Sequence, residues 1–390
     1  MKYNFDEIND RKNTHCVKYD RLEENFGSPD LLPLWVADMD FKTPECIVKA
    51  IQKRASHEIY GYTFRDTGCN RAIKNWLLQK HGWKIEEEWL SSSPGVVTAL
   101  SISVMAFTNP GDRIAVQPPV YFPFFQVIKD NDRELIHNPL IREGNSYRMD
   151  FDHLEQLAQE GLKMLILCSP HNPVGRVWSH EELNRLAEIC TKYDILVLAD
   201  EIHSDLVFEE YKHIPFASIS EDMAQRTITC IAPSKTFNVA GLASSAIIIP
   251  NKNLKLKYNQ LLHNLHLNLG NLFGHEAMRA GYQEGGPWLK ELMEYLKGNV
   301  ELVRNFLKEN LPNVKLIEPE STYLLWLDFN ALEMDTDTLQ DLMLTEGKVA
   351  LNKGTTFGPG GEGFLRMNIA CPRSIVQEAL ERIKKALDKK

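Results

Sequence analysis

A lysine takes part in imine chemistry where its surroundings disfavour the ammonium, and Lys235 stands in such a place. It occupies the run Ala232-Pro233-Ser234-Lys235-Thr236-Phe237-Asn238, directly after the apolar stretch Thr227 to Ile231, so that a buried strand delivers it to the edge of a sheet. Burial lowers a lysine pKa and frees the amine to condense with an aldehyde. Other apolar runs end in groups of complementary kinds. Arg113 to Gln117 leads into Pro118-Pro119-Val120-Tyr121, whose aromatic ring can stack on a flat heterocycle. Lys163 to Cys168 leads into Ser169-Pro170-His171-Asn172-Pro173-Val174-Gly175, a rigid turn that aims the Asn172 amide at the same edge. Ile195 to Ala199 runs into Asp200 and Glu201. A carboxylate at the end of a buried strand needs a partner to offset its desolvation, and a protonated pyridine nitrogen is one.

Further upstream, Ser92-Ser93-Pro94-Gly95-Val96-Val97-Thr98-Ala99 opens an apolar helix. Glycine at that entry exposes the N–H groups around Gly95, Val96 and Val97 to an anion such as a phosphate. Each charge–dipole contact is worth only about 0.3–1 kcal/mol, so several donors must cooperate. Taken singly, these features have ordinary explanations: a packed tyrosine, an Asn-Pro turn, a salt-bridged aspartate, a helix cap. On one edge together they make an aldehyde trap, a pyridinium partner, a ring stacker, a donor to a ring oxygen and a phosphate cradle. Pyridoxal 5'-phosphate carries the matching groups. Asp200 would keep the ring nitrogen protonated so that the ring withdraws electrons from Cα, and Lys235 would move the Cα proton.

The elements that must position these groups are legible from about residue 90 to 250. The runs named above, with Ala246 to Ile249, are nearly continuous in Ile, Leu, Val, Ala and Cys, the pattern of strands covered on both faces and so of a mostly parallel sheet. Between them lie helices such as Ser179 to Tyr193, where Ser179 and Glu182 form a capping box and Leu183, Leu186, Ala187 and Cys190 an apolar stripe. In α/β sheets ligands collect beyond the carboxyl ends of the strands. After Gly285-Gly286-Pro287 the pattern changes to a long amphipathic helix, Trp288 to Asn310. It is followed by strand runs Val314 to Ile317, Tyr323 to Leu327 and Phe364 to Ile369 and a terminal helix after Pro372. The expected architecture is α/β, a large domain over residues 46–285 with its sheet flanked by helices, and a smaller α+β domain over 286–390. Residues 1–45, irregular in pattern, are expected to pack with the small domain.

At 390 residues the chain can bury roughly three quarters of the surface it would expose unfolded. Its net charge of -9 comes without long single-sign blocks, which argues against nucleic-acid and membrane partners and for small-molecule chemistry. The seven cysteines (16, 46, 69, 168, 190, 230, 371) are scattered and form no CxxC pair, which suits reduced thiols in the cytoplasm rather than a disulfide framework or a thiolate metal site. No stretch nears the ~18 to 20 apolar residues of a membrane span, and Met1 to Arg11 is polar. His263 and His266, at i and i+3 on a segment that reads as helical, suit a helix surface better than a metal pair.

Ser234-Lys235, Asp200, His171 to Gly175 and Arg366 together resemble fold-type I pyridoxal-phosphate enzymes of the class I/II aminotransferase superfamily over nearly the whole chain. More narrowly, five segments resemble the MalY/PatB branch of cystathionine β-lyases: Trp35 to Phe41, Tyr60-Gly61-Tyr62, Asp200-Glu201-Ile202-His203, Ser234 to Asn238, and Tyr323 to Asp328. The resemblance implies that Lys235 carries the cofactor, Asp200 contacts the pyridine nitrogen, Asn172 the ring oxygen, and Tyr121 stacks on the ring. It implies that Arg366 clamps the substrate carboxylate through a bidentate pair, that Ala37 touches substrate, and that Tyr62 crosses a homodimer interface to the neighbouring cofactor phosphate. His203 stands where the broader family often has tyrosine, Ala232 where a serine or threonine often precedes the lysine, and Ala243 where an arginine often follows. Phosphate binding would then lean on Ser234, the helix start and Tyr62. The implied reaction is carbon–sulfur β-elimination from cystathionine or related cysteine derivatives. An aminotransferase on the same scaffold is the first rival, and a non-catalytic regulator the second.

Overall fold

The apolar runs after residue 90 build a sheet covered on both faces. In the computed structural model, which describes residues 2–389, its strands are β1 (Leu90–Ser93), β2 (Arg113–Val116), β3 (Glu134–His137), β4 (Met164–Cys168), β5 (Leu196–Asp200), β6 (Thr227–Ile231) and β7 (Ser245–Ile248). Their spatial order is β1-β7-β6-β5-β4-β2-β3. From β6 to β3 each strand is parallel to the next. Every residue of β4 and β6 is buried, which is why these strands read as unbroken apolar runs. β7 departs from the parallel pattern and pairs antiparallel with both neighbours. The connection 232–244 holds only short helical turns, too little for the full crossover helix that usually joins parallel strands.

The helices follow their local signals. The first is α1 (Val96–Phe107), after the Ser-Pro-Gly entry. In α2 (His180–Lys192), Ser179 accepts from the Glu182 N–H and the Glu182 carboxylate accepts from the Ser179 N–H. The one-turn α3 (Pro233–Thr236) begins with proline, whose fixed φ suits a helix start. After α4 (Leu272–Glu284) comes α5 (Gly286–Asn310), which packs against α6 (Arg373–Leu387). The second sheet has the order β8 (Lys315–Leu316), β9 (Leu324–Asp328), β11 (Phe364–Asn368), β10 (Asn352–Lys353), antiparallel throughout. Trp326 stacks on Phe364 within it at 4.9 Å. His263 falls in the helix Lys252–Asn264, but His266 lies beyond its end with φ 54°, so the two do not share a helix face.

The N-terminal stretch is less irregular than its sequence pattern. It forms short helices at Val17–Asp20 and Leu22–Phe26, and Leu32–Pro33 pairs in parallel with Val349–Ala350. Trp35 to Phe41 then runs as a strap between the two sheets. Asn368 donates to the carbonyls of Val36 and Asp38, while Asn238 donates to those of Met39 and Phe41. Arg11 and the buried Lys18 pair with Asp38 and Asp40 behind the strap. Met1 and Lys390, at the outer limits of the expected segments, lie outside the described residues.

Ser179, the cap of α2, is exposed and lines no part of the cavity at the strand ends. Ser179→Ala is expected to remove about 1 kcal/mol of stability, read as a lower urea midpoint, with activity unchanged.

Candidate active site

The carboxyl ends of β4, β5 and β6, the turn after β2 and the start of α1 meet around one cavity. It is lined by Ala37, Gly95, Val96, Val97, Tyr121, Asn172, Asp200, His203, Ser234 and Lys235. Pro94, Cys168, Ile202, Ala232, Ala240 and Ser244 complete the wall. Arg366 stands behind Asn172, within hydrogen-bond reach of it. Tyr62 is 98% exposed and lines no part of this cavity in its own chain.

Lys235 reaches the cavity from α3, and its Nζ donates to the Ala37 carbonyl oxygen at 2.5 Å. Burial lowers its pKa to about 8; Arg366 adds to the effect, while Asp38 and Asp200 oppose it. Asp200, at the last position of β5, is 4% exposed and accepts a hydrogen bond from the Ile202 N–H at 3.1 Å. Burial pushes its pKa up to about 7, against the Ile202 hydrogen bond and the nearby Lys235. His203 is held neutral, its pKa lowered to about 3 first by burial and then by Lys235 and Arg366. Its Nδ1 is buried without a partner in the protein.

Arg366, central in β11, is 3% exposed. It donates to Asn172 Oδ1 at 3.1 Å, to the Trp35 carbonyl at 2.9 Å and to Asn352 Oδ1 at 2.6 Å, none of them anionic, and its Nε is buried and unpaired. Burial lowers even this guanidinium to about 10. A buried cation without a carboxylate is left uncompensated, a cost that an anion would offset. The same contact orients Asn172: arginine only donates, so the amide oxygen faces Arg366 and the NH₂ is left for the cavity.

Where α1 meets the cavity, the helix starts without a side-chain cap, so its first N–H groups are free for an anion. A Cβ on Gly95 would meet nothing within 4 Å, so that wall stands clear of protein atoms. These features fit pyridoxal 5'-phosphate: uncapped donors for a phosphate, a buried carboxylate for a pyridinium, unpaired Asn172 and His203 groups for a ring oxygen, and an amine of lowered pKa for an aldehyde. Ser244 also lines the cavity and was missed from the sequence. It directly follows Ala243, the place of the absent arginine, and that adjacency was the available signal. Ala240 and Ile202 were missed as well; small apolar wall residues carry no sequence signal of their own.

The chain belongs to the aminotransferase class I and II family, whose model matches residues 29–383. Among its relatives, "Cystathionine beta-lyase PatB" of Bacillus subtilis (strain 168) is 48% identical over 98% of this chain and 100% of that protein. Cystalysin of Treponema denticola, whose structure contains a pyridoxal 5'-phosphate cofactor, superposes with a TM-score of 0.96 at 37% identity, covering 100% of both chains. A PLP-bound C-S lyase from Staphylococcus hominis gives 0.93 at 34% identity, over 99% of this chain and 98% of that one.

The raised Asp200 pKa has a sign that can be checked. In the folded protein stripped of cofactor the group holds its proton up to about pH 7, whereas unfolded it ionises near 4, so its contribution to stability is lost as pH rises through that window. Asp200→Asn removes this loss. In the stripped protein the variant is expected to gain unfolding free energy over wild type progressively from about pH 4 to 7, by as much as about 4 kcal/mol, read as a rising difference in thermal midpoint, while its loaded activity falls at least about a hundredfold.

Proposed function

We propose that the chain is a pyridoxal-phosphate-dependent carbon–sulfur β-lyase acting on L-cystathionine or related cysteine derivatives to release a thiol, pyruvate and ammonia. Its carrying observation is a lysine of lowered pKa in the cavity, backed through Asn172 by a buried arginine that has no anionic partner. The full-length likeness to proteins named as cystathionine β-lyase and C-S lyase supports the bond that is broken.

When bound, the cofactor supplies an aldehyde that condenses with amines and a protonated ring that withdraws electrons from Cα. The protein's own groups would do the rest. Arg366 takes the substrate carboxylate and fixes which Cα bond faces Lys235. Lys235 Nζ would remove the Cα proton, the Cβ–S bond would break with the thiolate leaving, and water would hydrolyse the released 2-aminoacrylate to pyruvate and ammonia. Asp200 keeps the ring nitrogen protonated, a role suited to a carboxylate whose ionisation costs much unless a cation faces it. Asn172 NH₂ and the neutral His203 hold the ring oxygen, Tyr121 covers the ring face, and Ala37 borders the substrate. Ser234, Ser244 and the N–H groups from Gly95 to Val97 cradle the phosphate.

We also assign the division into residues 1–45, 46–285 and 286–390, because the first sheet and the segments at its strand ends supply most of the cavity, the second sheet supplies Arg366 and the strap supplies Ala37. A homodimer completes the assignment. Ile59, Tyr60, Tyr62 and Phe64 are 70%, 59%, 98% and 73% exposed, a run of apolar surface that a partner would cover. Val97, 36% exposed, both lines the cavity and meets the surface, so a partner's Tyr62 docked there reaches the phosphate end. We place the protein in the cytoplasm: its seven cysteines are free, Cys69, Cys168, Cys190, Cys230 and Cys371 of them buried. No helix among the described residues is long and apolar enough to cross a membrane.

Lyase and aminotransferase share the first proton removal and diverge after it. Incubated with cystathionine and no keto acid, the enzyme is expected to release pyruvate and thiol over many turnovers; a single turnover that leaves the cofactor aminated would assign it to the rival. A second test addresses the dimer. Tyr62→Ala and Lys235→Ala protomers, each inactive alone, are expected on mixing to recover about a quarter of wild-type activity, since half of the dimers hold one complete site in two. No recovery would mean that Tyr62 serves its own chain or none.

A further inference from the structure

Two donors meet on one backbone oxygen beside the lysine. The Ala37 carbonyl accepts from Lys235 Nζ at 2.5 Å and from the Tyr323 hydroxyl at 3.0 Å. Tyr323 is fully buried, and a phenol taken out of water needs such a partner. The carbonyl itself cannot drift. Asn368 Nδ2 holds the carbonyls on both sides of it, Val36 and Asp38, at 2.6 Å each. From the lysine's own segment, Asn238 accepts from the Met39 N–H at 3.0 Å and donates to the Met39 and Phe41 carbonyls at 2.9 Å each. Its backbone carbonyl also accepts from Thr43 Oγ1 at 3.1 Å. Asn238 does this with φ 57°, the left-handed conformation that asparagine tolerates better than other side-chain-bearing residues.

We infer that the Ala37 carbonyl, fixed by Tyr323 and by the Asn238 latch, is the docking point of the Lys235 amine when it is released from the cofactor. Tyr323 and Asn238 are positioning residues for that amine. The inference rests on the lyase reading of the site, in which Lys235 must let go of the cofactor and then hold the Cα proton. A lysine has four rotatable side-chain bonds, and an unguided amine would spread over many rotamers. Docked, the ammonium points one N–H at Ala37 and keeps two for the cavity. Because Tyr323 shares the acceptor, it weakens the hold on the ammonium and helps the amine give its proton up. The charged groups facing Lys235 are Asp38 on the strap, Arg366 on β11 and Asp200 on β5; Tyr121, Tyr323 and the neutral His203 complete its titratable surroundings.

The test reads the amine without turnover, so its failure is separable from failure of the lyase assignment, which product analysis decides. The full chain, stripped of cofactor, is labelled with ¹³C-carbonyl alanine and ¹⁵N-aspartate, which marks the Ala37–Asp38 and Ala199–Asp200 peptides. The Ala37 carbonyl shift is expected to titrate with a midpoint near 8, as Lys235 does. The rate of recapture of pyridoxal 5'-phosphate should follow the same midpoint. In Tyr323→Phe both midpoints are expected to move up by about half a pH unit, a threefold change in the neutral fraction. A carbonyl shift flat from pH 6 to 10 in the wild type would overturn the docking point, even were the variant not to fold. Midpoints unmoved or lowered in a folded Tyr323→Phe would overturn the role of Tyr323.

Discussion

Removing charge from water without pairing it is the constraint around which this molecule is built. Asp200 and Lys235 line the cavity and Arg366 lies buried behind it, and each is pushed toward its neutral form: the carboxyl up to about 7, the ammonium down to about 8, the guanidinium down to about 10. Away from the cavity buried charges do find partners, as Lys18 does in Asp40 at 2.8 Å and Glu201 in His213 at 3.0 Å. In the cavity the partners are neutral amides and carbonyls, which orient the charged groups without satisfying them. Such a site costs folding stability and is repaid only by a ligand bearing the complementary charges.

The rest of the fold keeps these groups apart yet within reach. Parallel strands deliver Asn172, Asp200 and Lys235 from adjacent carboxyl ends, spaced by the sheet itself. Arg366 comes from a different sheet, and the strap Trp35 to Phe41 joins the two by accepting from Arg366 and Asn368 on one side and Asn238 on the other. Beneath Lys235, Asp205 accepts from Thr236, Trp76 and His81 at 2.8, 2.9 and 3.0 Å. That network pins the turn carrying the lysine to the helix Thr67–His81. The strap and this network brace the side of the cavity that carries Ala37 and Lys235.

Much of this is legible in the amino-acid sequence. Strands buried on both faces announce themselves as apolar runs, so β2, β4, β5, β6 and β7 and the residues at their ends can be read directly. Ser179 and Glu182 mark the start of α2, and Gly285 to Pro287 the start of α5. The features that escape have physical reasons. The edge strands β1 and β3 are Leu-Ser-Ser-Ser and Glu-Leu-Ile-His, without the pattern of a fully buried strand. The reversal of β7 depends on the length of its connection, which periodicity does not report. The strap holds mostly through backbone carbonyls, invisible in side-chain identity. The Ala37 carbonyl, Ser244 and the Asp205 network become apparent only when segments far apart in sequence are brought together.

The central claim is that one amine, that of Lys235, bonds covalently to the cofactor. Reducing the loaded protein with borohydride, digesting it and sequencing the pyridoxyl-labelled peptide by mass spectrometry tests it most directly. The expected result is a single label on Lys235, with loss of the violet-blue absorbance. A label on any other lysine, or a colourless protein that cannot be reconstituted with pyridoxal 5'-phosphate, would contradict it.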